Sequence, residues 1–279
     1  MDKGDIGLSQ RIEYYPSTPL SDIVLLQHPL AESQKAALTN YLMIFYGLTD
    51  NITIGSSLPY TFNSSISAAN FNDETGVGSI TNLGNVYGVS DTDFFSMWRL
   101  FEETKYPASL ALLSGISTPT GKTTVRDSNG ALFSASDQPG SGTWTPFAGI
   151  IVSKQLGRFS LSSNLIYTQS TEGAQKTTLG SVFDYYFATV LVLYKNERTQ
   201  FQIDGVIEFN GEYAAKDNID GLIDLNSGGN SIYLLPGLRI NMNTAISSYL
   251  GVNVPLVQNY YGTQVKNKYG ITGGIDISL

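Results

Sequence analysis

Short and long connections alternate along this chain, and that alternation narrows its folds more than any single segment does. About twelve segments read as strands by alternation and punctuation: 6–15, 36–47, 51–60, 91–102, 106–116, 143–154, 158–169, 180–194, 199–213, 230–241, 244–256 and 267–279. Tight turns follow every second one, at Leu48-Thr49-Asp50, Glu103-Thr104-Lys105, Gln155-Leu156-Gly157, Lys195-Asn196-Glu197-Arg198 and Met242-Asn243. These are hairpin lengths. The other connections, near 16–35, 61–90, 117–142, 170–179, 214–229 and 257–266, are long and rich in Gly, Ser, Asn and Thr. A water-soluble sandwich has no reason to gather every long loop at one end. A closed outer-membrane barrel does, with short periplasmic turns, long external loops, an even strand count and both termini on the inner side.

The strands themselves carry two unlike faces. In TQFQIDGVIEFNGEY (199–213), Phe201, Ile203, Ile207, Phe209 and Tyr213 alternate with Gln202, Asp204, Glu208, Asn210 and Glu212. Side chains of a strand point alternately to opposite faces, so one face is apolar and the other acidic. At ~3.3 Å per residue the segment runs roughly 45 Å, enough to cross a tilted bilayer path and project beyond it. The last segment repeats the pattern: Tyr269, Ile271, Ile275 and Ile277 oppose Lys268, Thr272, Asp276 and Ser278. Only 14% of residues are charged, well below the roughly 25% of soluble domains. No apolar run reaches the ~18 residues of a membrane helix, so the hydrophobic content is distributed as strands distribute it. Tyr14, Tyr15, Tyr46, Tyr60, Trp144, Tyr167, Tyr194, Tyr213 and Tyr269 lie near strand ends, where interfacial girdles form.

The expectation is an all-β chain in which residues 1–279 form one closed antiparallel transmembrane β-barrel, its first and last strands paired. Phe201, Ile203, Ile207, Phe209, Ile232, Leu234, Leu238, Ile271, Ile275 and Ile277 then face lipid. The same count turns Arg11, Glu13, Asp93, Arg99, Asp204, Glu208, Glu212, Arg239 and Asp276 into the lumen. An Arg at the lipid midplane would cost about 2–4 kcal/mol, which all but forces the inward choice for Arg99 and Arg239. Both are expected to reach an inward carboxylate, most readily Asp93, Asp204, Glu208 or Glu212. With acids in excess, the lumen is expected to be net negative and to favour neutral or cationic solutes.

Other chemistries find little support. The chain has a net charge of −8, no basic nucleic-acid footprint and no cysteine for disulfides or thiolate metal sites. GISTPTGKT (115–123) places five residues between Gly115 and Gly121, not the four of a phosphate-binding loop, and no helix follows. It reads as a strand turning at Pro119-Thr120-Gly121. His28, beside Pro29, has Ser17 and Ser33 as conceivable partners for a barrel lipase or esterase. Weak calcium binding is conceivable at Asp217, Asp220 and Asp224. No resident metal or cofactor is expected. A structural or adhesive barrel with a plugged lumen is the alternative to a channel.

YGLTDNITIGSSLPY (46–60), LSGISTPTGK (113–122), GSGTWTPFAGIIVSKQLGRFSLSSNLIYT (140–168), VIEFNGEY (206–213), LLPGLRINMN (234–243) and GVNVPL (251–256) together resemble the bacterial outer-membrane barrel family named for the MetA-pathway of phenol degradation, also described only as transporter. The segments occur in the family's order and cover most of residues 40–279. The resemblance implies an outer-membrane channel, transporter-like, passing small hydrophobic or aromatic solutes, and no catalytic residues. One departure is the end of the chain, IDISL, where such barrels usually finish on an aromatic residue and this one has Leu279. MDKGDIGLSQ has no apolar core of a signal peptide, so the outer-membrane reading expects an export signal already removed.

Overall fold

The computed structural model describes residues 1–28, 30–72, 75 and 77–279. Pro29, and residues 73, 74 and 76 of the expected 61–90 loop, lie outside the described residues. Twelve antiparallel strands form the wall. They are β1 (Ile6–Thr18), β2 (Ala36–Thr49), β3 (Ile52–Phe71), β4 (Thr92–Phe101), β5 (Ser109–Thr118) and β6 (Thr145–Leu156), followed by β7 (Phe159–Thr168), β8 (Val182–Asn196), β9 (Phe201–Ala214), β10 (Gly229–Asn241), β11 (Ile246–Tyr260) and β12 (Gly270–Ser278). Each pairs with its chain neighbours, and β1 closes the ring on β12 from Gly7 opposite Ser278 to Tyr14 opposite Ile271. Closure removes both sheet edges, which hydrocarbon could not solvate. The Ile6 N–H to Leu279 carbonyl bond of 3.0 Å brings the termini together at the short-turn end.

The outer face is apolar and uncovered. Ile207, Phe209, Leu238, Ile271 and Ile275 are exposed, and Phe201, Ile203, Ile232, Leu234 and Ile277 are half-buried by neighbouring side chains. None of these ten is buried by protein. Leu42, Ile44, Leu58, Phe94, Trp98 and Leu250 continue the band around the wall. Exposed Tyr14, Tyr46, Tyr60, Trp144, Tyr167, Tyr194, Tyr213 and Tyr269 lie at its rims. Tyr15 departs from the expected girdle: being next to the outward Tyr14, it points inward and sets its ring edge-on to Tyr233 at 5.7 Å. On the outer face Gly211 makes room for Tyr185, whose ring would lie 1.9 Å from a Cβ there. Two polar residues of the outer face, Gln10 and Asn40, bond each other at 3.2 Å rather than face lipid alone.

The region expected as a 61–90 loop is different. β3 runs on to Phe71 and pairs with a further strand, Gly78–Val89, so that a β-hairpin rises above the wall. Its Ser, Asn and Gly content suggested a loop, but a ladder is built from backbone groups and tolerates small polar side chains. Phe62 stacked on Tyr87 at 6.3 Å pins the hairpin at its base. Higher up, a bulge at Ser65 (φ 51°) turns Ile66 into a buried cluster with Val86, Val125 and Phe133. The 119–144 segment is thereby folded into an external cap.

Asp91 holds the base of that cap. Its carboxylate accepts from the Gly121 N–H (2.8 Å), the Ser141 N–H (2.7 Å) and the Ser141 hydroxyl (2.6 Å). Gly121 and Gly140 pass so closely that a Cβ on either would meet the other's backbone at about 2.5 Å. Gly121 of the 115–123 stretch serves this close passage. The short helix α1 (Asp22–Gln27), capped by Ser21, buries Leu25 beside the hairpin.

Candidate lumen site

The pleat sorts the charged residues by parity. Arg11, Glu13, Asp93, Arg99, Asp204, Glu208, Glu212, Arg239 and Asp276 all alternate with the exposed apolar positions and so share the inner face. Cross-strand registers then place several of them on one level. Tyr41 lies opposite Arg11, Arg11 opposite Gly274, Gly274 opposite Tyr249, Tyr249 opposite Arg239, and Arg239 opposite Asp204. This belt runs across five adjacent strand pairs from β2 to β9.

Arg11 forms an ion pair with Glu13 on its own strand and lies over the Tyr41 ring, 5.8 Å from its centroid. Tyr249 leans across Gly274, where a Cβ would come within 2.6 Å of its hydroxyl. Asp204 is 3% exposed and accepts from the Gln202 amide (2.7 Å) and the Asn241 amide (2.8 Å). Asp276 accepts from the Ser9 hydroxyl (2.6 Å) and the Ser247 hydroxyl (3.3 Å). A cavity of about 260 Å³ opens on the belt, lined by Arg11, Arg239, Tyr249, Glu208 and Asp276, with Met43, Val206 and Leu235 as its apolar wall.

The arginine pairings differ from expectation. Among the described residues neither Arg99 nor Arg239 forms an ion pair; the inward pair is Arg11 with Glu13. Arg99 sits at the short-turn end, where it donates to the Asp50 carbonyl and to the Asn51 side chain at 3.4 Å. The β2–β3 turn offers these acceptors, while the Asp50 carboxylate accepts from the Lys3 N–H at 3.2 Å. Arg239 does have Asp204 as cross-strand neighbour, but that carboxylate is already served by two amides. The Arg239 Nε is buried without a hydrogen-bond partner. An unpaired interior donor of this kind costs ~1–3 kcal/mol and more when charged.

The count by parity also passed over an inward group. Asp184 lies directly opposite Glu212, and Tyr186 follows two residues along β8 on the same face. The signal was present as FDYYF (183–187), where Asp184 and Tyr186 alternate with outward Phe183, Tyr185 and Phe187. Viewed along the barrel, Glu212, Asp184, Glu13 and Asp93 occupy the loop-side half, whereas Arg11, Arg239 and Arg99 occupy the middle and the turn end. Inward carboxylates outnumber guanidiniums.

The loop chemistry weighed in the sequence takes structural form. Ser17 donates to Asn267 at 3.2 Å and Ser33 accepts from the Leu20 N–H at 2.9 Å, while the His28 backbone closes helix α1. Asp217 accepts from the Gly180 N–H (2.7 Å), Asp220 pairs with Lys176 (3.1 Å) and Asp224 accepts from the Asn226 N–H (2.9 Å). Among the described residues no group of three such side chains is arranged to hold a metal ion. Beneath the cap, Glu32, Asp137, Asp217 and Asp224 line an external pocket of about 550 Å³ together with Leu30, Leu222 and Ile223. Burial, then a hydrogen bond and the charge of Asp137, push the Glu32 carboxyl up to about 9.

An edge-free antiparallel ring, apolar outside and charged inside, defines a transmembrane β-barrel of the bacterial outer-membrane type. The fold is shared with solved structures. The chain aligns over 100% of its length with 96% of the COG4313 outer membrane channel from Pseudomonas putida F1, at 13% identity and a TM-score of 0.66. It aligns over 98% of its length with all of the NanC porin, at 10% identity and a TM-score of 0.51. A TodX mutant described as a monoaromatic hydrocarbon channel aligns with 100% of this chain over 90% of its own, at 8% identity and a TM-score of 0.50. No protein-family model and no curated sequence matches the chain.

Proposed function

We propose that the protein is an outer-membrane channel for passive passage of small solutes, with hydrophobic or aromatic compounds as its main class. The observation that carries this reading is the polar interior itself. By strand parity Arg11, Asp93, Arg99, Asp204, Glu208, Glu212, Arg239 and Asp276 turn inward, and a cavity with an apolar wall opens on Arg11, Glu208, Arg239 and Asp276. A barrel serving only as a scaffold gains nothing from leaving charges in its lumen without ion-pair partners. The family resemblance of the sequence and the alignment with an outer-membrane channel and a monoaromatic hydrocarbon channel support the same direction. On this reading the outer band meets outer-membrane lipid, and the acid excess favours neutral and cationic solutes over anions.

The external cap favours a second reading, a structural barrel with a closed mouth, because its own hydrophobic cluster gives the 119–144 segment a fixed fold. Liposome swelling separates the two. A channel admits small neutral aromatics and polar solutes at rates well above those of protein-free liposomes. A plugged scaffold shows no flux beyond that background.

A further inference from the structure

The belt cavity is lined by Arg239 and Tyr249, donor side chains that make no hydrogen bond to protein among the described residues. The Arg239 Nε is buried without a partner, as is the Nε of Arg11, whose guanidinium is already paired with Glu13. The carboxylates nearby do not answer Arg239 or Tyr249: Asp276 is engaged by Ser9 and Ser247, Asp204 by Gln202 and Asn241, and Glu208 accepts from the Asn210 amide at 3.5 Å rather than from Arg239. The apolar part of the wall includes Met43, Val206 and Leu235, and the Thr272 hydroxyl in the lining accepts from the Asn253 amide at 2.7 Å.

We propose that this cavity is a recognition subsite for small neutral solutes that carry an acceptor oxygen on an apolar body, with a ketone as the simplest case. Arg239 and Tyr249 are the donors. The inference rests on the channel reading and deepens it by naming what the lumen selects. A plain hydrocarbon would fill the apolar wall and leave both donors unpaired. A carboxylate would satisfy Arg239 but would enter beside Glu208 and Asp276, with Asp204 as the next neighbour, and meet their charge. A neutral oxygen avoids both penalties. A site built around hydrogen-bond donors discriminates strongly against an isostere that lacks the acceptor. The volume is adequate, since an apolar cavity of ~150 Å³ holds benzene and this one is about 260 Å³.

The probes are acetophenone, ethylbenzene and benzoate, added to the folded full chain in detergent micelles. The readout is the amide NMR shift of Gly237 and Gly251, which border the cavity. Site-resolved shifts distinguish binding here from partition into micelles, and midpoints are compared at free probe concentrations corrected for that partition. Acetophenone is expected to shift both amides saturably, at concentrations at least tenfold below those needed for ethylbenzene or benzoate. Arg239→Met should remove most of the advantage of acetophenone over ethylbenzene, and Tyr249→Phe should weaken acetophenone severalfold. Should Arg239→Met fail to fold, the ranking of the three probes on the wild-type chain still decides. Equal response to ethylbenzene, tighter binding of benzoate, or an unchanged response in Arg239→Met overturns the subsite. The shifts need no flux. Acetophenone binding without solute passage would overturn the channel and keep the subsite, and passage without these shifts would do the reverse.

Discussion

Asp184 on β8 and Glu212 on β9 are direct cross-strand partners, both turned into the loop-side half of the barrel. Like charges placed opposite one another destabilise a ladder by a fraction of a kcal/mol to ~1 kcal/mol. Their retention is accounted for if the entrance is meant to be negative. Glu212→Gln is therefore expected to raise the temperature at which the barrel loses its heat-modifiable gel migration. It should also reduce cation preference. A variant that gains stability with unchanged selectivity would remove Glu212 from the permeation path.

Arg99 gives a prediction with two separable parts. Its guanidinium joins β4 to the β2–β3 turn through Asp50 and Asn51. Arg99→Ala should destabilise the barrel by about 1.5–3 kcal/mol, the range for hydrogen bonds to a charged group. It should also raise conductance and strengthen cation preference, because a positive charge and a bulky side chain leave the turn-side mouth. Urea denaturation measures the first effect and planar-bilayer recording the second.

The cap should respond to pH through Glu32. In the unfolded chain this carboxyl titrates at its ordinary value near 4.5, whereas in the cap it holds its proton up to about 9. The folded cap therefore binds more protons over that interval. Its contribution is fully present below the ordinary carboxylate range and is lost as pH rises through about 9. Burial raises Asp217 as well, against the opposing Gly180 N–H, so it acts in the same direction. Hydrogen exchange of segments 30–34 and 134–138, corrected for intrinsic rates, should quicken from pH 5 to pH 9. Glu32→Gln should remove most of the dependence, leaving the part due to Asp217.

Phe133 tests whether the cap is a unit apart from the wall. It is 2% exposed and packs with Ile66, Val86 and Val125 above the barrel. Phe133→Ala should cost the cap about 3–5 kcal/mol. The 119–144 segment should become open to proteolysis while the barrel keeps its heat-modifiable migration. Loss of both together would mean that cap and wall fold as one.

The wall was legible in the sequence because its signals are local. Alternation within a strand assigns faces, and the length of a turn needs no knowledge of what lies across the sheet. Pairing between charges is not local. Whether Arg239 meets a carboxylate depends on which residue of β9 falls opposite it and on what that residue already holds. The stagger that places Asp204 there, and the amides of Gln202 and Asn241 that satisfy it, are set by neighbouring strands. The hairpin above the wall escaped for a related reason. Its strands are marked less by apolar alternation than by contacts between distant residues, Phe62 with Tyr87 and Ile66 with Phe133.

The central claim, a conducting lumen whose acids outweigh its arginines, is tested most directly by the reversal potential of the purified barrel in a planar bilayer under a KCl gradient. The account predicts discrete conductance with a reversal potential displaced toward that of K⁺. Anion selectivity, or no conductance in the wild type or in Arg99→Ala and Arg239→Ala, would contradict it.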